Sequence, residues 1–195
     1  MAMPQTTPAP GQWTVEDVRR LPDDGNRYEV IDGVLHVTPA PRLVHQDAVA
    51  ALHRLLHAYI VGHPVGWALQ APADIVFGPR DGVQPDLFVA PLVEGRRPAS
   101  WKEITHLLLA VEILSPSTAS RDRREKRRLY QRHADEYWIV DLDARLIECW
   151  RPGDVRPEVL DETLVWQPAG AAEPLVIELP AVFREVWGEQ RESRA

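Results

Sequence analysis

The feature that most constrains the fold is a charge in the wrong company. Residues Leu107 to Leu114 read LLLAVEIL, so Glu112 stands inside an apolar run of strand-like composition, closed by Ser115-Pro116. An apolar run of this length bounded by turn residues predicts a strand with both faces covered. A carboxylate there costs several kcal/mol, by an order-of-magnitude reckoning, unless a cation meets it. The chain must therefore deliver positive charge to Glu112 from elsewhere. A second acid poses the same problem: Asp86 lies in VQPDLFVA, again with apolar neighbours on both sides.

If these two strands are neighbours, facing side chains lie roughly 4.5 to 5.5 Å apart at Cβ. Two carboxylates that close do not both ionise without a cation. A hard divalent ion such as Mg²⁺ suits oxygen ligands and takes one or two carboxylates plus waters and phosphate. The competing reading is that each acid meets an arginine or caps a turn, and for either acid alone that is the commoner outcome.

A third residue changes the balance. In RDRREKRRLYQRHA, residues 121–134, Asp122, Lys126 and Tyr130 recur at four-residue spacing with Leu129 on the same side. This spacing puts all four on the helix face that packs on the sheet. Lys126 is also unusual in kind, because of 22 basic residues only Lys102 and Lys126 are lysine. A charged helix without other context is normally a solvated surface, with Asp122–Lys126 a weak surface pair. Beside two buried acids, Lys126 becomes the natural cation.

The remaining elements follow from pattern. TVEDVRRLP predicts a short helix with Thr14 as N-cap, and RYEVIDGVLHVTP a hairpin turning at Asp32-Gly33. Val44 to Val61 carries helical apolar spacing and ends at Gly62 and Pro64. GWALQAP, ADIVFG, VQPDLFVA and Thr105–Leu114 predict strands, and Ser120 is the expected N-cap of the charged helix. EYWIVD and RLIECW predict a second hairpin, and TLVW, LVIEL and AVFREVW two strands and a closing helix. This order predicts a mixed α/β domain, a central mixed sheet flanked by helices with an N-terminal hairpin. The domain is expected over 13–188, with a loose tail over 1–12 and fraying over 189–195.

Composition narrows the setting. The chain has 195 residues and a 45% apolar fraction, which suits one compact core. No apolar run reaches the roughly 18 residues of a membrane helix, so no membrane partner is expected. A single cysteine, Cys149, excludes an intrachain disulfide and fits a cytoplasmic setting, and its place in RLIECW suggests packing. The net charge of −7 argues against coating nucleic acid by bulk attraction, though not against gripping one phosphate locally.

Pro85-Asp86, Glu112 and a lysine resemble the P-D…(D/E)-x-K nuclease superfamily, with one departure: position 114, where that lysine belongs, is Leu114. The strings YEVIDGVL, PDLFVA, VEILSPST, DRREKRRLY and EYWIVD resemble the Uma-two family of restriction-endonuclease-like proteins, in which the lysine has moved to the following helix. QRHADEYW departs again, lacking the Gly usual before the EYW strand. The resemblance implies a Mg²⁺- or Mn²⁺-dependent endonuclease acting on DNA. It implies that Asp86, Glu112 and the Ile113 carbonyl hold the metal and that Lys126 orients or activates the attacking water. Glu29, in YEVIDG, matches a family acid at or near the metal; from the residues alone it is equally a strand-surface group. Gln70 and His45-Gln46 are accessory candidates, and a histidine at a helix start serves more often as a cap or surface group than as a ligand. Arg123-Arg124 and Arg127-Arg128 can touch phosphates or merely solubilise the helix. An enzyme cutting both strands needs two sites, which makes a homodimer an expectation. The rival is a catalytically inactive nuclease-like module that binds nucleic acid or protein.

Overall fold

A computed structural model describes residues 8–188. Twelve strands among these residues form three sheets. The central sheet has six strands in the order β10-β9-β8-β7-β6-β3. They are β3 (Gly66–Gln70), β6 (Leu87–Pro91), β7 (Leu109–Ile113), β8 (Tyr137–Asp141), β9 (Leu146–Trp150) and β10 (Glu158–Leu160). Only β7 and β8 run parallel; the other pairs are antiparallel, as in a mixed sheet.

One face of this sheet is covered by α2 (Leu43–Gly62), α5 (Leu179–Val186) and the pair β11 (Thr163–Trp166) and β12 (Leu175–Glu178). Leu52, Leu56, Val89, Val111, Trp138 and Phe183 form the core on that side. The other face packs on a four-stranded sheet, β2-β1-β5-β4, and on the charged helix. These strands are β1 (Arg27–Ile31), β2 (Val34–Thr38), β4 (Ile75–Gly78) and β5 (Asp81–Val83). Ile31, Ile75, Phe88, Ala110, Leu129, Tyr137 and Ile139 make its core. With both faces covered, β6 and β7 are buried along almost their whole length, which explains their unbroken apolar text.

Local chemistry sets the entry to the fold. Thr14 caps α1 (Val15–Val18) in a reciprocal box with Asp17, whose carboxylate accepts from the Thr14 N–H at 3.0 Å. The β1–β2 turn places Asp32 at φ 49° and Gly33 at φ 76°, the two left-handed residues a tight hairpin needs. Residues 8–12, expected as part of the tail, are tied back: Arg80 donates to the Gly11 carbonyl at 2.7 Å and the Trp13 N–H to the Gly33 carbonyl at 2.9 Å. The fraying expected over 189–195 lies outside the described residues, as do residues 1–7.

Three expectations change. The strand expected from Thr105 begins at Leu109, because Leu107 makes only an isolated bridge to Ala134. Strands β5 and β10, of three residues each, are additional. The charged helix starts at Ala119 with Thr118 as N-cap, so Ser120 lies inside it. The reason is the preceding turn: the Ser115 carbonyl accepts from the Ala119 N–H, and the Ser115 and Thr118 hydroxyls bond each other, which starts the helix early. The helix runs as α3 (Ala119–Arg121), a π-helical turn (Asp122–Lys126) and α4 (Arg127–His133). The departure at QRHADEYW needs no glycine, since Ala134 has φ −137°, ordinary extended backbone.

Candidate active site

The register of β6 against β7 pairs Leu87 with Val111 and Phe88 with Ala110. Continued by one residue, it sets Asp86, just before β6, opposite Glu112. Alternation turns both toward the face shared with Ala110 and Phe88, where the charged helix packs. The Ile113 N–H donates to Asp86 Oδ2 at 2.9 Å. In extended backbone a residue's N–H and C=O point to the same edge, so the Ile113 carbonyl is directed toward Asp86 as well.

Lys126 reaches Glu112 from the π turn. Its Nζ donates to Glu112 Oε1 at 2.7 Å and to Glu29 Oε1 at 2.8 Å, and the side chain is 1% exposed. The Tyr130 hydroxyl donates to the same Glu112 oxygen at 3.0 Å, and the Gln84 N–H to Glu29 Oε1 at 2.8 Å. A π turn, with five residues per hydrogen-bonded ring, is a recurrent feature of functional sites. Here it brings Asp122 and Lys126 inward together while Leu129 and Tyr130 stay on the core.

Four acids, Glu29, Asp86, Glu112 and Asp122, are thus buried around three cations, Lys126, Arg27 and Arg121. Arg27 donates to Asp86 Oδ1 at 2.9 Å, and His45 Nε2 lies 3.1 Å from Asp86 Oδ2. Burial pushes the Asp86 carboxyl up, but His45, Arg27 and Lys126 outweigh it and hold the group well below the usual carboxylate range. Glu29 is likewise held low, because Lys126 and Arg121 overcome its desolvation. Glu112 goes the other way. Its burial and the nearby charges of Asp86, Asp122 and Glu29 prevail over Lys126 and push its carboxyl well up. Lys126 is desolvated, yet Glu112, Glu29 and Asp122 hold it firmly as an ammonium. With four acids around three cations, burial pushes both Glu112 and Asp122 up, so the site favours taking up a proton or a cation.

Glu112 opens onto a cleft of about 530 Å³. Its walls are the end of β2 and start of α2 (residues 38–45), the loop after β7 (114–119), the end of β8, and Trp187. Arg27, Asp86, Glu112 and Ile113 form the floor. Glu112 Oε1 is taken by Lys126 and Tyr130, whereas Oε2 accepts no hydrogen bond from the described residues. Lys126, Glu29 and Tyr130 lie behind Glu112 and do not reach the cleft.

The donor set fits one hard cation loosely held. Among the described residues no three His, Cys, Asp or Glu side chains are placed to hold a metal. Two carboxylates, a carbonyl and open space for water and phosphate are instead the components Mg²⁺ accepts. A cation there would take the place of the proton that the raised Glu112 carboxyl favours.

Of the accessory candidates, His45 meets Asp86 and lines the cleft, Tyr130 meets Glu112, and Asp122 is buried beside them. Gln46 is exposed, and Gln70 is exposed at the end of β3 opposite Leu87, on the other face of the sheet. Arg123 is spent on Asp141 and Glu148, and Arg127 lies over the Trp150 ring. Cys149 is buried and burial pushes its thiol up, away from reactivity. Sequence reasoning missed Arg27, Arg121 and Trp187. Arg27 had a signal, since it sits two residues before Glu29 and therefore on the same strand face. Arg121 and Trp187 had none.

The chain matches the Uma2 family, described as "Putative restriction endonuclease", over residues 15–185. The chain belongs to this family. A crystal structure of a protein described as a putative nuclease of family DUF820, from Anabaena variabilis, superposes with a TM-score of 0.73. At 21% identity, covering 89% of this chain and 98% of the other, it shows that the two share a fold. No curated protein matches. In this chain Asp86 and Glu112 lie side by side, and Lys126, on the helix after β7, meets Glu112.

Proposed function

We propose that the chain is a metal-dependent endonuclease that hydrolyses DNA phosphodiester bonds at the floor of the cleft. The observation that carries this reading is that two buried acids from neighbouring strands, Asp86 and Glu112, meet at the floor of a cleft within a nuclease-family fold. Asp86, Glu112 and the Ile113 carbonyl would hold Mg²⁺ or Mn²⁺. Such an ion, when bound, supplies an activated water near neutral pH and offsets charge on the phosphate oxygens.

The protein's own groups do the positioning. Lys126 and Tyr130 fix Glu112 Oε1, which leaves Oε2 facing the cleft. Glu29 shares the ammonium and keeps Lys126 in place. Lys126 is a buried, permanently charged group, so its role in this reading is to hold Glu112 and to lend positive potential, rather than to take a proton from water. Arg27 and His45 orient Asp86.

One observation favours the rival, a nuclease-like binding module: Arg27 and His45 already satisfy Asp86 without any metal. Nicking of supercoiled plasmid separates the two. The endonuclease reading expects Mg²⁺- or Mn²⁺-dependent conversion to open circles by wild type and none by Asp86→Asn. Equal conversion by both proteins, or none by either, contradicts it.

A further inference from the structure

The cleft carries two groups that the metal floor does not use. Trp187, at the end of α5, lines the wall beside Leu142 and is 41% exposed. Its indole N–H donates to the Leu142 carbonyl at 3.3 Å, which fixes the ring's orientation while leaving much of the indole in solvent. Arg42, the residue preceding α2, lines the cleft as well. Of the four arginines around the cleft, Arg27, Arg121 and Arg123 are engaged by buried or half-buried acids. Arg42 is exposed and has no acidic partner among the described residues.

Resting on the endonuclease reading, we propose that the cleft takes an unpaired nucleotide, its base stacked on Trp187 and its phosphate held by Arg42, so that the substrate is a single-stranded or locally opened nucleic acid. Three physical points support this. A net charge of −7, with Asp141 and Asp143 on the Trp187 side, gives little long-range attraction for the dense phosphate array of a duplex. An exposed, oriented aromatic ring and one free guanidinium are the components by which proteins hold single strands, through stacking more than through bulk charge. The cleft's volume is on the scale of a single small ligand rather than of a double helix.

The test is fluorescence anisotropy of a labelled 12-nucleotide single strand, alone and annealed to its complement, with Ca²⁺ in place of Mg²⁺ to hold off cleavage. The single strand is expected to bind more tightly than the duplex. Trp187→Ala should weaken it by about tenfold or more, while Trp187→Phe keeps most of the affinity because a ring remains to stack. Arg42→Ala should weaken binding and flatten the salt dependence by roughly 0.7 in log–log slope, the share of one phosphate contact. An abasic nucleotide should cost wild type the same factor as Trp187→Ala and cost that variant nothing further. Equal affinity for duplex and single strand, or equal loss in the Ala and Phe variants with unchanged unfolding midpoints, overturns the proposal. If Trp187→Ala does not fold, the abasic strand and Arg42→Ala decide it. Plasmid nicking tells this failure apart from that of the reading beneath it. Wild-type nicking unaffected at Trp187 sinks only the stacking proposal; stacking-dependent binding with no cleavage under Mn²⁺ sinks only the endonuclease.

Discussion

Replacing Glu112 with Gln should stabilise the metal-free protein, against the usual direction for removing a buried charged partner. The expectation follows from the raised carboxyl of Glu112. Without metal the folded protein keeps a proton on Glu112 that the unfolded chain releases above pH 4.5, because burial and three neighbouring acids raise its carboxyl. In that window the folded state binds more protons than the unfolded state, so wild-type stability falls as pH rises until the folded pKa is passed. Glu112→Gln has no such proton to hold. Its amide oxygen can still accept from Lys126 and Tyr130, as Glu112 Oε1 does at 2.7 and 3.0 Å. The stability difference in favour of the variant should therefore widen as pH rises above 4.5, until the folded pKa of Glu112 is passed. Thermal melts at pH 5.5, 6.5 and 7.5 with EDTA read it directly. Added Mn²⁺ at a hundredfold excess over its Kd should then raise wild-type stability by about 2.7 kcal/mol and leave the variant unmoved. A variant that is less stable than wild type by a constant amount at every pH, with metal or without, would refute the reasoning and make Glu112 an ordinary structural ion-pair partner.

Other outcomes follow from the same charge map. Lys126→Ala strips the ammonium from Glu29 and Glu112 and should cost about 3 to 5 kcal/mol at pH 7, a loss that shrinks in acid as the stranded Glu29 carboxylate takes up a proton; urea titrations at pH 5 and 7 measure it. Asp86 is held low, so its contribution is present above pH 3.8 and is lost as pH falls through its depressed folded value; Asp86→Asn should be several kcal/mol less stable at pH 7, by an order-of-magnitude reckoning, with the gap closing at the acid end of an unfolding series. Thr14→Ala should remove the capping box of α1 and lower stability by about 1 kcal/mol, independently of pH near neutrality, as a melt will show.

Much of this arrangement could be seen in the residues before the fold was known, and the reason lies in range. The Asp32-Gly33 turn, the Thr14 cap and α2 are written in a few adjacent positions each. Glu112 announced itself because one carboxylate within an apolar run has few physical resolutions. Lys126 was found by helical spacing, but spacing gives a face and not a depth, so nothing indicated that its ammonium would lie behind Glu112 and out of the cleft. The three-residue strands β5 and β10 are too short to leave a periodic signal, and β5 contains Gly82. The π turn has no sequence signature at all. Arg121, Arg42 and Trp187 meet the site through folding of segments far apart in the chain, so only the tertiary structure could bring them together.

A metal-dependent endonuclease requires that Asp86, Glu112 and the Ile113 carbonyl together hold a divalent ion. Anomalous scattering from Mn²⁺-soaked crystals tests this most directly. A single strong peak at the cleft floor between the two carboxylates, absent from Glu112→Gln crystals treated alike, is the predicted result. A cleft without a peak at saturating Mn²⁺, with Arg27 and His45 still closed on Asp86, would contradict it.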